Sequence, residues 1–182
     1  MLHFNSSLDQ CMVVPFFNLS FAETRTAWVR TTSTNVGEIF ATYHDAMPSI
    51  TIELRLFGGQ LEVYFFTGTT SFSLTQTAST PLLNDGEWHH VAMVRNWTDV
   101  VLYIDGLEAG SGTVTLPSSQ LAKLYTRVDG TSIGCRRITG TSSVHIGFDG
   151  DMSDVRQYDA ALLAVDVRQI CESCLLALIW LF

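Results

Sequence analysis

The sequence predicts an all-β fold, an antiparallel β-sandwich of jelly-roll type with a short C-terminal helix, and three observations carry that prediction. Ile50, Ile52, Leu54 and Leu56 alternate with Thr51, Glu53 and Arg55, the period of two expected of a strand with one buried and one wet face. Asn84 to Gly106 reads as a hairpin whose arms are rich in β-branched and aromatic residues and whose ends are Asn, Asp and Gly, residues that tolerate tight turns. Short strand-like runs recur along the rest of the chain, with turn signals roughly every 8 to 12 residues, which is the spacing of a sandwich.

Composition supports a folded chain. The 182 residues suit one domain with a sizeable core, 47% are hydrophobic and only 15% charged, which argues against disorder. Ten Lys plus Arg against 18 Asp plus Glu give a formal charge of −8, and Arg136-Arg137 is the sole basic pair, so polyanions such as nucleic acid are poor partners.

Taken in order, Leu2 to Pro15 reads as a first edge strand and Thr26 to Thr32 as a second strand with Trp28 in its interior. Gly37 to Tyr43 is a third. Ile50 to Leu56 and Leu61 to Phe66 form a hairpin about Gly58-Gly59, for which a two-residue primed turn is the economical geometry. Ser71 to Thr75 leads to the central hairpin, whose arms are Trp88 to Arg95 and Val100 to Ile104 around the loop Asn96-Trp97-Thr98-Asp99. Glu108 to Thr113 reads as a Gly- and Ser-rich turn, Val114 to Leu116 as a brief strand, and Leu121 to Asp129 as either helix or strand. Ser132 to Gly134 and Val144 to Phe148 are strands flanking a loop at Arg136 and Arg137. Leu163, Val167, Ile170, Cys171 and Cys174 recur at helical spacing, with Asp159 a candidate cap. The expected domain spans residues 1–174, followed by an apolar tail, residues 175–182, that reads as a truncated continuation or a docked segment. That octet is too short to cross a bilayer, which takes about 20 apolar residues. The start, Met1 to Asn5, lacks the basic and apolar regions of a secretory signal, so a piece of a longer chain is expected.

Two stretches resemble a known family. The order Asp85-Gly86, Trp88-His89-His90-Val91, a short loop, an apolar strand and Asp105-Gly106 is similar to the laminin G-like branch of the concanavalin A-like superfamily, which includes the pentraxins. Ala27-Trp28-Val29 matches an apolar-aromatic strand of that family. Phe148, Gly150, Asp154, Val155, Arg156, Tyr158 and Leu162 stand where such domains close, although Leu163 replaces the usual Ser or Thr helix cap. The resemblance implies a laminin G-like sandwich in which Trp28, Trp88, His89, Asp105, Gly106, Asp154 and Tyr158 are structural. It also implies a noncatalytic recognition module, extracellular, that binds carbohydrate or protein through rim loops. A pentraxin-like lectin or an oligomerising adhesion domain is the alternative, and a glycan hydrolase the third class.

Chemistry-bearing groups are sparse. Glycan hydrolysis needs two carboxylates facing one cleft, and no E-x-D-x-x-E pattern occurs; Glu53 and Glu62 each read as solvated charge. His89 and His90 are neighbours on a strand and point to opposite faces, so they cannot chelate one ion together. Asp149-Gly150-Asp151 is the densest acidic turn, with Asp149 and Asp151 the candidate ligands should calcium assist binding; a solvated turn with Asp154 bonded to backbone is the plainer reading. Cys171-x-x-Cys174 lacks a second pair at metal spacing. The four cysteines, Cys11, Cys135, Cys171 and Cys174, allow three complete connectivities, among them pairings of Cys11 or Cys135 with a tail cysteine. Together with glycosylation sequons at Asn5, Asn18 and Asn96, they fit an oxidising compartment. The expected partners are a glycan or an extracellular protein, with a membrane reached only through a continuation of the tail.

Overall fold

The computed structural model describes residues 1–8, 10–15, 21–43, 50–120, 130–137 and 144–179. The described residues form fourteen strands: β1 (Leu2–Phe4), β2 (Met12–Pro15), β3 (Ala22–Arg30), β4 (Gly37–Tyr43), β5 (Ile50–Phe57), β6 (Gln60–Thr67), β7 (Ser71–Thr75), β8 (His89–Asn96), β9 (Asp99–Ile104), β10 (Leu107–Thr113), β11 (Gly130–Ile133), β12 (Cys135–Arg137), β13 (Val144–Gly147) and β14 (Gly150–Tyr158). A helix, α1 (Ala164–Ile179), follows β14. They build two six-stranded antiparallel sheets, ordered β1-β14-β3-β8-β9-β10 and β2-β11-β4-β5-β6-β7, with β12-β13 as a small separate ribbon.

The alternating residues of the sequence make the core. Ile52, Leu54 and Leu56 of β5 and Leu61, Val63 and Phe65 of β6 are all 2% exposed or less, and meet Ala27, Val29, Val91, Met93 and Leu102 of the first sheet. Gly58 and Gly59 join β5 to β6 with φ of +60° and +82°, the positive pair a two-residue primed turn requires. Glu23, Arg25 and Arg95 also lie between the sheets, each at most 1% exposed: Arg25 Nε donates to Glu23 Oε2 at 3.0 Å and Arg95 Nε to Glu23 Oε1 at 2.9 Å.

Several segments differ from expectation. Leu2 to Pro15 is two edge strands, one per sheet, because a single turn of 3-10 helix at Ser6–Leu8 carries the chain across the sandwich edge. Glu108 to Thr113 belongs to strand β10, not to a turn. Its glycines serve close packing: a Cβ on Gly110 would stand 3.3 Å from the Thr75 carbonyl oxygen, and one on Gly112 equally near Leu74. Val114 and Leu116 are buried without forming a strand. Arg136 and Arg137 sit in β12 instead of a loop, since Gly134, at φ +75°, turns the chain directly from β11 into it. Cys11 and Cys135 form a disulfide that ties the entry of β2 to the start of β12, so the pairings with tail cysteines are not the ones adopted.

Helix α1 packs Val167 on Ala92, Val94 and Tyr103, on the outer face of the first sheet. Its cap is not Asp159. Asp166 reaches back to the Leu163 amide at 3.1 Å, the N3 half of a capping box, which compensates for the missing Ser or Thr. The helix runs on through residue 179, and no helix among the described residues is long and apolar enough to cross a membrane. Residues 180–182 of the tail, the ambiguous segment 121–129 and the sequon at Asn18 lie outside the described residues.

Trp28 and His90 are register partners on the same outer face, their rings 5.6 Å apart. Trp28 is 3% exposed, buried as expected, but on the helix-bearing side of the sheet and not in the inter-sheet core. His90 is 1% exposed with no hydrogen-bond partner for either ring nitrogen among the described residues, and burial pushes its pKa down to about 4. Because the unfolded imidazole titrates near 6.5, the unfolded state takes up a proton that the folded state refuses. His90 therefore supports full stability above that value and withdraws it as pH falls towards 4, by about 3 kcal/mol in all. In chemical denaturation at pH 7 and pH 4.5, His90→Leu should remove this term, so the stability of the variant relative to the parent rises on acidification; a constant difference would refute it.

Candidate functional site

The rim of the first sheet, where β1, β3 and β14 end beside the loop before β8, encloses an open pocket of about 280 Å³ lined by His3, Arg30, Thr31, Thr32, Gly86, Asp149, Gly150 and Asp151. Register creates it, since Asp151 faces His3 on one side and Arg30 on the other. Arg30 donates to Asp151 Oδ2 from Nε at 3.0 Å and from Nη2 at 2.7 Å, while His3 Nδ1 lies 2.8 Å from Asp151 Oδ1. Burial alone would raise the Asp151 carboxyl; the Arg30 and His3 hydrogen bonds outweigh it and hold the group below the usual carboxylate range. Gly150 has φ +144°, and a Cβ there would collide with the Arg30 carbonyl oxygen, so glycine is required for the two strands to approach. Thr31 Oγ1 closes the floor by donating to the Asp149 carbonyl at 2.5 Å.

Trp88 stands beside this pocket. It precedes β8, is half-buried, and carries the Arg30 guanidinium 5.0 Å from its ring centroid, so it is a rim aromatic outside the inter-sheet core. His89 is held as a packed, hydrogen-bonded residue: its Nδ1 is 2.9 Å from Asp105 Oδ2 and its Nε2 is 3.2 Å from Asp85 Oδ1. The bond to Asp105 chiefly raises its pKa. Asp105 also accepts the His90 amide at 2.9 Å, and Asp105 and Gly106, at φ +51° and +77°, make the turn into β10. His89 and His90 thus serve opposite faces. Asp154, at φ +47°, accepts from Arg156 Nε at 2.7 Å, and Arg156 Nη1 donates to the Tyr158 hydroxyl at 3.4 Å, which makes a side-chain lock along β14.

The donor set at Asp149 and Asp151 does not fit calcium well. Asp151 Oδ2 already accepts two hydrogen bonds from the Arg30 guanidinium and Oδ1 lies 2.8 Å from His3 Nδ1, whereas calcium wants six to eight oxygens with net negative charge around them. Among the described residues no three His, Cys, Asp or Glu side chains are placed to hold a metal ion. The two sequons within the described residues are Asn5, partly exposed, and Asn96, exposed at the tip of the β8–β9 hairpin. Beside Asn96, Trp97 and Phe21 stack with centroids 4.4 Å apart while 60% and 43% exposed.

Glu53 and Glu62 are not solvated. On the outer face of the second sheet Glu38 and Glu53 are 0% exposed and Glu62 7%, drawn together by strand register and covered in part by β12. Carboxylates so enclosed have no open cleft to a glycosidic bond. His3, Arg30, Thr31 and Thr32 carried no signal in the sequence, because they converge only when three strand ends meet.

The fold is thus a two-sheet sandwich with a polar pocket at its rim. A laminin G-type profile, described as the concanavalin A-like lectin/glucanases superfamily, matches residues 10–168, and the chain belongs to that superfamily. Among curated protein sequences none matches it. Of solved structures, it resembles a native heptameric SAP-like pentraxin from Limulus polyphemus, at 16% identity over 87% of this chain and 72% of that one, with a TM-score of 0.63. It resembles domains LG4-5 of the mouse laminin alpha1 chain, at 19% identity and a TM-score of 0.67, covering 89% of this chain but only 43% of that one. The third is the CBM40 of a Ruminococcus gnavus IT-sialidase bound to alpha2,3 sialyllactose, at 16% identity, 82% of both chains and a TM-score of 0.64. At these identities the likeness is one of fold.

Proposed function

We propose that the protein is a noncatalytic, extracellular recognition module that binds a polyhydroxylated glycan in the rim pocket. The pocket itself carries this reading: an open 280 Å³ recess sets a guanidinium, two carboxylates, an imidazole and two threonine hydroxyls around one space, with an aromatic ring at its edge. Such groups are the donors and acceptors that vicinal sugar hydroxyls need, and few of them are lost to a buried core. Since Arg30 already neutralises Asp151, binding at this pocket proceeds without calcium. A glycan ligand is supported by neighbours in fold that include a sialyllactose-bound module and a putative carbohydrate binding protein from Bacteroides ovatus.

A glycan array, followed by calorimetry with calcium and with chelator, tests this. Thr32→Trp, at an exposed pocket position, and His3→Ala should weaken the best glycan about tenfold or more, the loss of one or two polar contacts, with melting temperature unchanged. A glycan bound equally well by both variants would place the site elsewhere, and strict dependence on calcium would overturn the calcium-free part. A protein ligand is the second reading, favoured by the exposed Phe21–Trp97 stack at the opposite end of β8, and Trp97→Ser would then abolish partner binding while leaving the rim intact.

A further inference from the structure

Beneath the β12–β13 ribbon, the outer face of the second sheet holds a closed layer of five charged side chains. Register sets Glu38 of β4 opposite Arg55 of β5, and Arg55 opposite Glu62 of β6; Glu53 is two positions before Arg55 on the same face. Arg55 donates from Nη1 to Glu53 Oε2 at 2.9 Å and from Nε to Glu62 Oε2 at 2.8 Å. From the ribbon, Arg136 brings Nε within 3.3 Å of Glu53 Oε1. Among the described side chains three carboxylates face two guanidiniums, one more negative charge than positive.

The hydrogen bonds locate the shortfall. Both oxygens of Glu38 and Oε1 of Glu53 lack a hydrogen-bond partner among the described residues, and both side chains are fully buried. A buried carboxylate without a donor is among the costliest arrangements a protein can hold, and in practice such a group neutralises. Glu53 stands diagonal to Glu38 on the same face of the neighbouring strand, so a proton on one of the two buried carboxyls can be donated to the other.

We propose that Glu38 and Glu53 share a single proton at neutral pH, with the Glu38 O–H donating to Glu53, and that this proton is a pH-sensitive latch joining β4 to β5. It supplies a donor for Glu53 and brings the layer to two carboxylates and two guanidiniums. Burial first, and then the negative charge of Glu53, hold Glu38 well above the usual carboxylate range, while Arg55 and Arg136 pull the other way. Among the described side chains the charged groups facing Glu38 are thus Glu53 and Arg55 on β5 and Arg136 on β12, with Glu62 and Tyr64 of β6 beyond Arg55; β11 carries no titratable residue, and Arg137 on β12 and His145 on β13 are the other ionisable residues of the ribbon.

The consequence has a sign. Above the unfolded carboxyl value the folded chain keeps a proton that the unfolded chain releases, so the latch acts fully at lower pH and is lost as pH rises through the folded value. Glutamine is the permanent mimic of protonated Glu38, because its amide N–H can donate to Glu53 at any pH. The test measures unfolding constants of the parent and Glu38→Gln from pH 5 to 9, in a His145→Gln background, together with the infrared carbonyl stretch of buried carboxylic acid at pH 7. The ratio of parent to variant unfolding constants should grow by about tenfold per pH unit until Glu38 ionises, and the acid band should be present in the parent and absent from the variant. A ratio independent of pH, a parent without the band, or a Glu38→Gln chain that fails to fold would each overturn the proposal. Glycan binding at the distant rim pocket is read separately and does not enter.

Discussion

Glu23→Gln should cost about 3 to 5 kcal/mol, or prevent folding, because it strips the counter-charge from buried guanidiniums while leaving them in place. Both oxygens of Glu23 are used: Arg25 grips Oε2 and Arg95 grips Oε1, with Nη2 distances of 2.9 and 2.8 Å. Arg25 Nη1 also donates across the sandwich to the Ile52 carbonyl at 3.3 Å, and its guanidinium lies 5.9 Å from the Phe40 ring centroid, so the network spans both sheets. Burial lowers the Arg25 pKa, with Glu23 opposing that shift. Removing Glu23 leaves burial and the nearby Arg95 acting in the same unfavourable direction. Urea denaturation measures the loss, and a double-mutant cycle with Arg25→Met should return a coupling of about 1 to 3 kcal/mol. A Glu23→Gln protein within 1 kcal/mol of the parent would mean that water reaches the network.

Reduction of the Cys11–Cys135 disulfide, or Cys135→Ser, should cost about 3 to 5 kcal/mol. The bond closes a loop with a sequence separation of 124 residues, and a loop of that length loses much entropy in the unfolded chain when cross-linked. The melting temperature of a chain this long should fall by about 10 °C or more. Two effects add in Cys135→Ser, since Cys135 is fully buried and a hydroxyl would replace its sulfur. Reduction without substitution isolates the cross-link alone. Equal melting temperatures with and without reductant, at unchanged thiol count, would show that the two cysteines are not joined in solution.

The acid term from His90 and the latch at Glu38 act with opposite signs over the mildly acidic range. His90 withdraws stability as pH falls, and Glu38 withdraws it as pH rises. The parent chain should consequently show a flatter pH profile than either variant, which is why both tests are read as differences.

The amino-acid sequence determined by itself the sandwich class, the β5–β6 and β8–β9 hairpins, the Asp105-Gly106 turn and the helix after β14. These are local: a period of two, a glycine pair or an Asp-Gly turn acts over a few residues, and neighbouring strands pair through the turn that joins them. What only the tertiary structure decided is every feature built by distant strands. Glu53 and Glu62 follow the wet-face pattern of their own strands, yet β4 and β12 close over them and turn solvated charge into a buried layer. Glu23 meets Arg95 across a register 72 residues apart in sequence. His3, Arg30 and Asp151 become a pocket only because β14 inserts between β1 and β3. Trp88 reads in sequence as the first residue of a hairpin arm, but β8 begins one residue after it, leaving the ring at the rim beside Arg30. The physical reason is the same throughout: charge and aromaticity in a strand specify which face a residue takes, whereas burial of that face depends on which other strand arrives to cover it.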